Sequence, residues 1–214
     1  NEPRFEGVAV SWKVEFGGPY SHISAQIAEK QVDLVVMGSK GVTGLKEVFV
    51  GSNTEKVVRH AKCPVITIKK PVNVSSIKEI AFAASLRKDE GAVIDAMKKL
   101  QEIFDARLNI VMVNTPNNFM SDRDIKKQMR RLIEKHGLEN YTLNIYNEVV
   151  EEDGIVFFAE EIGADLIALG THGRKGLMHF FGGSITEDVV NHANRPVWSF
   201  NIHQPKKVAV PQVE

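Results

Sequence analysis

Residues 33–65 read DLVVMGSKGVTGLKEVFVGSNTEKVVRHAKCPV, and residues 165–197 read DLIALGTHGRKGLMHFFGGSITEDVVNHANRPV. At an offset of 132, 17 of these 33 positions are identical, which marks an internal duplication. Each copy opens with Asp-Leu and a short apolar run, the pattern of a strand buried inside a parallel sheet. Each continues through Gly-x2-Gly-x9-Gly-Ser: Gly38, Gly41, Gly51 and Ser52, then Gly170, Gly173, Gly183 and Ser184. A helix-like stretch follows, then Pro-Val and a second apolar run. Two copies at a domain-sized spacing make two domains in tandem, not a solenoid.

Outward from the second copy, apolar periodicity predicts alternating strands and helices. Strands are expected over 77–84, 108–113, 141–149, 165–169 and 196–202. Helices are expected over 89–104, 121–136, 153–162 and 184–193. This alternation implies an α/β fold with a doubly wound, parallel, five-stranded sheet in each of two tandem copies. The first copy is shorter. Strands are expected over 8–16, 32–37 and 64–69, and helices over 22–30 and 52–61. Subtracting 132 from Ile77 places the start of this copy about 55 residues before Asn1. The expected organisation is therefore the C-terminal half of a first domain (1–70), a linker (71–76), a complete second domain (77–203) and a tail (204–214). By this reading the chain is a fragment. The final strands of both copies should be sheet edges, and edges invite pairing.

Composition bounds the function. Hydrophobic residues make up 43% and charged residues 25%, as in an ordinary globular protein. Lys plus Arg equal Asp plus Glu at 27 each, which argues against nucleic acid as a partner. Cys63 is the only cysteine, so no intrachain disulfide and no Cys-rich metal site can form. Apolar runs are too short for a membrane-spanning helix. The cytoplasm is the expected compartment.

The chemistry concentrates in the Gly-rich turn. It leaves the C-terminal end of a strand and enters the N-terminus of a helix, where open α/β sheets bind ligands. Gly38 and Gly170 are read as positions needing unusual backbone angles. Gly51 and Gly183 would let an anion approach the backbone. The first amides of each helix, at Ser52, Asn53 and Thr54 and at Ser184, Ile185 and Thr186, lack intrahelical acceptors and suit a phosphate. A plainer reading competes: Ser52-x-x-Glu55 and Ser184-x-x-Glu187 are also capping boxes. A cap explains the Ser and the Glu but not the spaced glycines.

This pattern, preceded by Asp-Leu-Val-Val-Met and followed by Thr-Glu-x-Val-Val and Cys-Pro-Val-Ile, resembles the universal stress protein family over residues 7–70 and 77–202. The resemblance implies a flavodoxin-like or adenine nucleotide α-hydrolase-like fold and an adenine nucleotide ligand, ATP with or without Mg2+. It implies that Met37 and Leu169, each preceding the first motif glycine, line the adenine site, and that Val113 also meets adenine. It further implies pairing of the two copies through their last strands, homodimer formation and a role as a stress sensor or regulator. The family usually carries Asp at the end of the first strand, where this chain has Ser85. That departure favours the alternative of a ligand-free interaction module.

Other residues are weighed against enzyme chemistry. His172 lies in the second turn, and His60 and His192 fall at helix ends, without a catalytic spacing around them. Lys40, Lys46, Arg174 and Lys175 are candidate phosphate partners or solvated loop charges. Phe180 and Phe181 are expected to pack the turn, and Cys63 to be structural. An enzyme is not expected.

Overall fold

The computed structural model of the chain describes residues 7–39, 50–86, 91–171 and 185–201. In chain order these form α1 (Pro19–Lys30), β1 (Val35–Gly38), α2 (Ser52–His60), β2 (Val65–Ile68), β3 (Glu79–Ala83), α3 (Gly91–Phe104) and β4 (Arg107–Asn114). They continue with α4 (Asp122–His136), β5 (Tyr141–Asn147), α5 (Glu151–Glu161), β6 (Leu166–Thr171), α6 (Ile185–His192) and β7 (Val197–Asn201).

Local chemistry explains the boundaries. Ser121 caps α4 by accepting from the Asp124 amide at 3.2 Å, and Gly137 ends that helix at φ 58. Ile125, Met129 and Ile133 recur along one face of α4 and are buried. Asp165, just before β6, accepts from the amides of Lys78 and Glu79 at 2.9 Å each. It thereby ties the start of β6 to the start of β3.

The strands make one sheet in the order β1-β2-β7-β6-β3-β4-β5. The expectation of a five-stranded parallel sheet in each copy gives way to a single seven-stranded mixed sheet. The run from β7 to β5 is parallel throughout. β1 is parallel to β2. β2 and β7 are antiparallel, with Val65 opposite Ser199, Ile66 opposite Trp198 and Thr67 opposite Val197. The cause is the open edge each last strand would otherwise present; pairing them satisfies both rows of backbone groups.

That seam has an approximate two-fold relation. The central partners Ile66 and Trp198 are counterparts at the 132-residue offset, and the flanking pairs Val65–Ser199 and Thr67–Val197 exchange with each other under it. Side chains obey it too. Thr67 Oγ1 donates to the Val197 carbonyl at 3.3 Å, and Ser199 Oγ donates to the Val65 carbonyl at 3.4 Å. Lys69 Nζ donates to the Asn191 carbonyl at 2.5 Å, and Asn201 Nδ2 to the Arg59 carbonyl at 2.6 Å.

Both faces of the sheet are covered. One core holds Ile80, Phe82, Leu108 and Ile110 against Val93 and Met97 of α3 and Met129 of α4. The other holds Ala81, Val111 and Ile167 against α5 and α6. A smaller cluster under α1 and α2 contains Ile27, Val57, Val58 and Val65.

The strand expected over 8–16 is not formed. Those residues carry no regular structure, and Trp12 is 87% exposed. Their alternation of Val8, Val10, Trp12, Val14 and Phe16 is strand-like. A strand needs a hydrogen-bonded neighbour, however, and the sheet holds none beside them among the described residues. No described helix is long and apolar enough to cross a membrane.

Candidate functional site

The first turn starts where β1 ends. The Ser39 amide donates to the Ile68 carbonyl at 3.0 Å, which keeps the chain in the sheet one residue past Gly38. The chain returns at Val50, and the Gly51 amide donates to the Ser39 carbonyl at 2.9 Å. Thr54 Oγ1 reaches back to the Gly38 carbonyl at 3.1 Å. Ser39 and Thr54 are both buried, so this clasp holds the strand end against the helix start in a low-dielectric setting.

The geometry revises the reading of Gly38. Gly51 has φ −60 and ψ 141, ordinary extended angles. No left-handed φ occurs at Gly38, and a Cβ there would meet nothing within 4 Å. The sequence-based argument from unusual backbone angles therefore fails for Gly38. What Gly38 provides is open space at the strand end.

The capping-box reading fails for the first copy as well. Gly51, not Ser52, is the N-cap, and no side chain caps α2. Ser52 is the first helical residue, with an exposed side chain. Glu55 sends its carboxylate to Arg59 at 3.0 Å instead of back toward the helix start. The amides of Ser52, Asn53 and Thr54 have no acceptor one turn earlier within α2. They form the positive end of the helix dipole.

The other predicted residues fall as follows. Met37 is half-buried and packs on the small cluster under α1 and α2. Leu169 and Val113 belong to one core cluster, 3% and 5% exposed. Val113 faces Gly154 of α5, where an added Cβ would lie 2.6 Å from Val113 Cγ1. Gly170 is half-buried and pairs with Phe200 in the sheet. Ile185 begins α6 with an exposed side chain, and Thr186 behind it is buried. Ser85 is half-buried just beyond the end of β3. Gly41, Gly173, Gly183 and Ser184 lie outside the described residues, as do Lys40, Lys46, His172, Arg174, Lys175, Phe180 and Phe181.

Electrostatics around the seam centre on Arg59. Its Nε donates to Glu187 Oε1 at 2.7 Å, and its Nη2 bonds both Glu187 and Glu55. The Glu187 carboxylate is the main cause that raises the guanidinium pKa above its ordinary value. Burial pushes the Cys63 thiol up, so this cysteine is a packing residue rather than a nucleophile. His192 contacts the Asp188 carbonyl at 2.9 Å, and His60 lies 6.2 Å from the Tyr20 ring. Among the described residues, no group of three or more His, Cys, Asp or Glu is placed to hold a metal ion.

Sequence reasoning missed Asn191, Arg59, Glu187 and Asn201 as cross-links between the repeats. A signal existed: 59 and 191, like 69 and 201, are the same position at the 132-residue offset. Two clefts among the described residues lie away from the motif. One is lined by Tyr20, Ile27, Val57 and His60, the other by Lys126, Ile145, Tyr146 and Glu161.

A sequence profile described as "Universal stress protein family" matches residues 1–69 and 77–200. Universal stress protein MJ0531 of Methanocaldococcus jannaschii is 40% identical over 65 residues, covering 30% of this chain and 38% of that protein. Universal stress protein Slr1230 of Synechocystis is 23% identical over 169 residues, covering 78% of this chain and 58% of that protein. The chain thus matches well under two thirds of the length of these relatives. A crystal structure of a universal stress protein from Archaeoglobus fulgidus superposes with a TM-score of 0.65 at 24% identity. It covers 86% of this chain and 65% of that one. Universal stress proteins have also been solved in complex with cAMP and with dAMP.

Proposed function

Because this chain belongs to the universal stress protein family, we propose that it binds an adenine nucleotide, ATP with or without Mg2+, at the Gly-rich turn that opens α2. The clasp made by Gly38, Ser39, Gly51 and Thr54 carries the reading. It ties the start of α2, with its three helix-start amides and the Ser52 hydroxyl, to the strand end at Gly38, where an added Cβ would meet nothing within 4 Å. A phosphate is the ligand whose charge and acceptors match such a set. The second turn, with Gly170, Gly173, Gly183 and Ser184, repeats the spacing and is the second candidate.

The same reading takes the chain as two universal stress protein domains in tandem, the first represented by its C-terminal half, joined through their last strands. The approximate two-fold relation across β2 and β7 supports it. The protein acts as a stress sensor or regulator in the cytoplasm rather than as an enzyme, and further copies associate as a homodimer.

A second reading has a specific observation behind it. Ser85 stands at the strand end where the family carries Asp, so the second repeat serves as a ligand-free interaction module. One titration with labelled ATP separates the two. Gly51→Val and Gly183→Val variants are compared with the unmodified chain. Loss of binding with Gly51→Val alone assigns the site to the first turn. Equal binding by all three proteins ends the nucleotide reading.

A further inference from the structure

Val50 immediately precedes the motif Gly51, yet both its contacts lead into the other repeat. Its side chain packs on the cluster built by β6, β7, α5 and α6. Its amide donates to Asn191 Oδ1 at 2.8 Å, from a position 141 residues along the chain. The next amide, of Gly51, is held by Ser39 of its own repeat. Two consecutive amides at the mouth of the turn therefore have fixed acceptors, one from each repeat. Asn191 is itself anchored. It lies in the last turn of α6, and its carbonyl accepts from Lys69 Nζ.

We propose that Asn191 is a positioning residue for the first turn: the second repeat fixes the Val50 amide and so the angle at which the Ser52, Asn53 and Thr54 amides meet phosphate. This rests on the nucleotide reading given above. The equivalent position in the first repeat carries different chemistry. The counterpart of Asn191 at the 132-residue offset is Arg59, which has five donors and no acceptor. Arg59 is engaged with Glu187 and Glu55 and can hold no amide N–H in return. Nucleotide affinity at the first turn thus depends on a side chain of the second repeat, and the equivalent side chain of the first repeat cannot make the same hydrogen bond.

The test uses Asn191→Leu, similar in shape without an acceptor, and Asn191→Asp, which keeps the acceptor. Hydrogen exchange at the Val50 amide is measured without nucleotide. ATP affinity is measured in two backgrounds: Gly183→Val, which isolates the first turn, and Gly51→Val, which isolates the second. Asn191→Leu is expected to speed Val50 exchange and weaken first-turn affinity by about fivefold each, the effect of losing one neutral hydrogen bond. Asn191→Asp should leave exchange near its original rate, and second-turn affinity should not respond to Asn191→Leu. Unchanged exchange at Val50 in Asn191→Leu overturns the inference. So does equal weakening at both turns, which marks a general structural role, or faster exchange with unaltered first-turn affinity. An unmodified chain that binds no ATP overturns the nucleotide reading and this inference with it. The exchange rate then still reports whether the contact forms.

Discussion

Replacing Gly154 by Ala pits two effects of opposite sign against each other. Gly154 lies in the first turns of α5, where Ala gains up to about 1 kcal/mol over Gly from helix propensity. The added methyl has nowhere to go. It would lie 2.6 Å and 3.2 Å from the two γ-carbons of Val113 and 3.0 Å from Glu148 Cβ. Val113 cannot swing aside freely, because a β-branched side chain has few χ1 states. Nor can its strand retreat: β4 is hydrogen-bonded on both sides, to β3 and β5. Overpacking of this kind costs about 1–3 kcal/mol. The clash therefore outweighs propensity, and Gly154→Ala should destabilise by about 1–2 kcal/mol. For a chain of this size that lowers Tm by about 3–6 °C. Urea and thermal unfolding followed by circular dichroism measure it. Adding Val113→Ala removes two of the three contacts, so the double variant should recover about 1 kcal/mol relative to the sum of the singles. Gly154→Ala at or above the original stability would refute the reasoning. It would mean that α5 shifts outward at little cost.

Three further outcomes follow from the geometry. Ser52→Ala should change stability by less than about 0.5 kcal/mol, since Ser52 is not the N-cap; a loss near the ~1 kcal/mol of a true cap, seen in urea melts, would contradict this. Glu187→Gln leaves the half-buried Arg59 with only Glu55, and should cost about 1–3 kcal/mol, below the full value for a deeply buried pair because Arg59 is one-third exposed. In the Arg59→Met background the same change should cost far less, and a cycle with no coupling would sink the pair. Tyr146 donates to Glu161 Oε1 at 2.6 Å, which with burial pushes its phenol up to about 12. Because the folded value lies above the ordinary one near 10, the contribution of this contact to stability is complete below pH 10 and fades as pH rises through about 12. Ultraviolet titration against Tyr146→Phe should show the late phenol, and Glu161→Gln should return it toward 10.

Much of the fold was legible because buried parallel strands and amphipathic helices write simple periods. The strands ending at Gly38 and near Gly170 and the helices starting near Ser52 and Ser184 fall within a few residues of their expected places. The exception at 8–16 is physical. Alternation records a capacity to pair, and pairing also needs a neighbour. The sheet count was misread for a related reason. Each repeat taken alone suggests its own sheet; the open last strands pointed to pairing between the copies, but the merging of both into one seven-stranded sheet follows only once β2 and β7 share hydrogen bonds. At the turn, the motif marked the right place but for the wrong cause at Gly38, whose worth lies in vacant space and not in its torsion angles. Arg59 and Asn191 belong to no motif of their own. Their importance appears only when α2 and α6 are brought together.

The seam between the last strands places Ile66 opposite Trp198. A bulky indole thus faces a smaller aliphatic chain, a fit that two identical surfaces could not make, since each would set indole on indole or leave a gap. Joining the repeats in one polypeptide removes the demand that both sides of a contact carry the same residue. The members of a mirrored pair can then differ, as at 59 and 191, where a guanidinium that only donates and a carboxamide that can also accept occupy equivalent places.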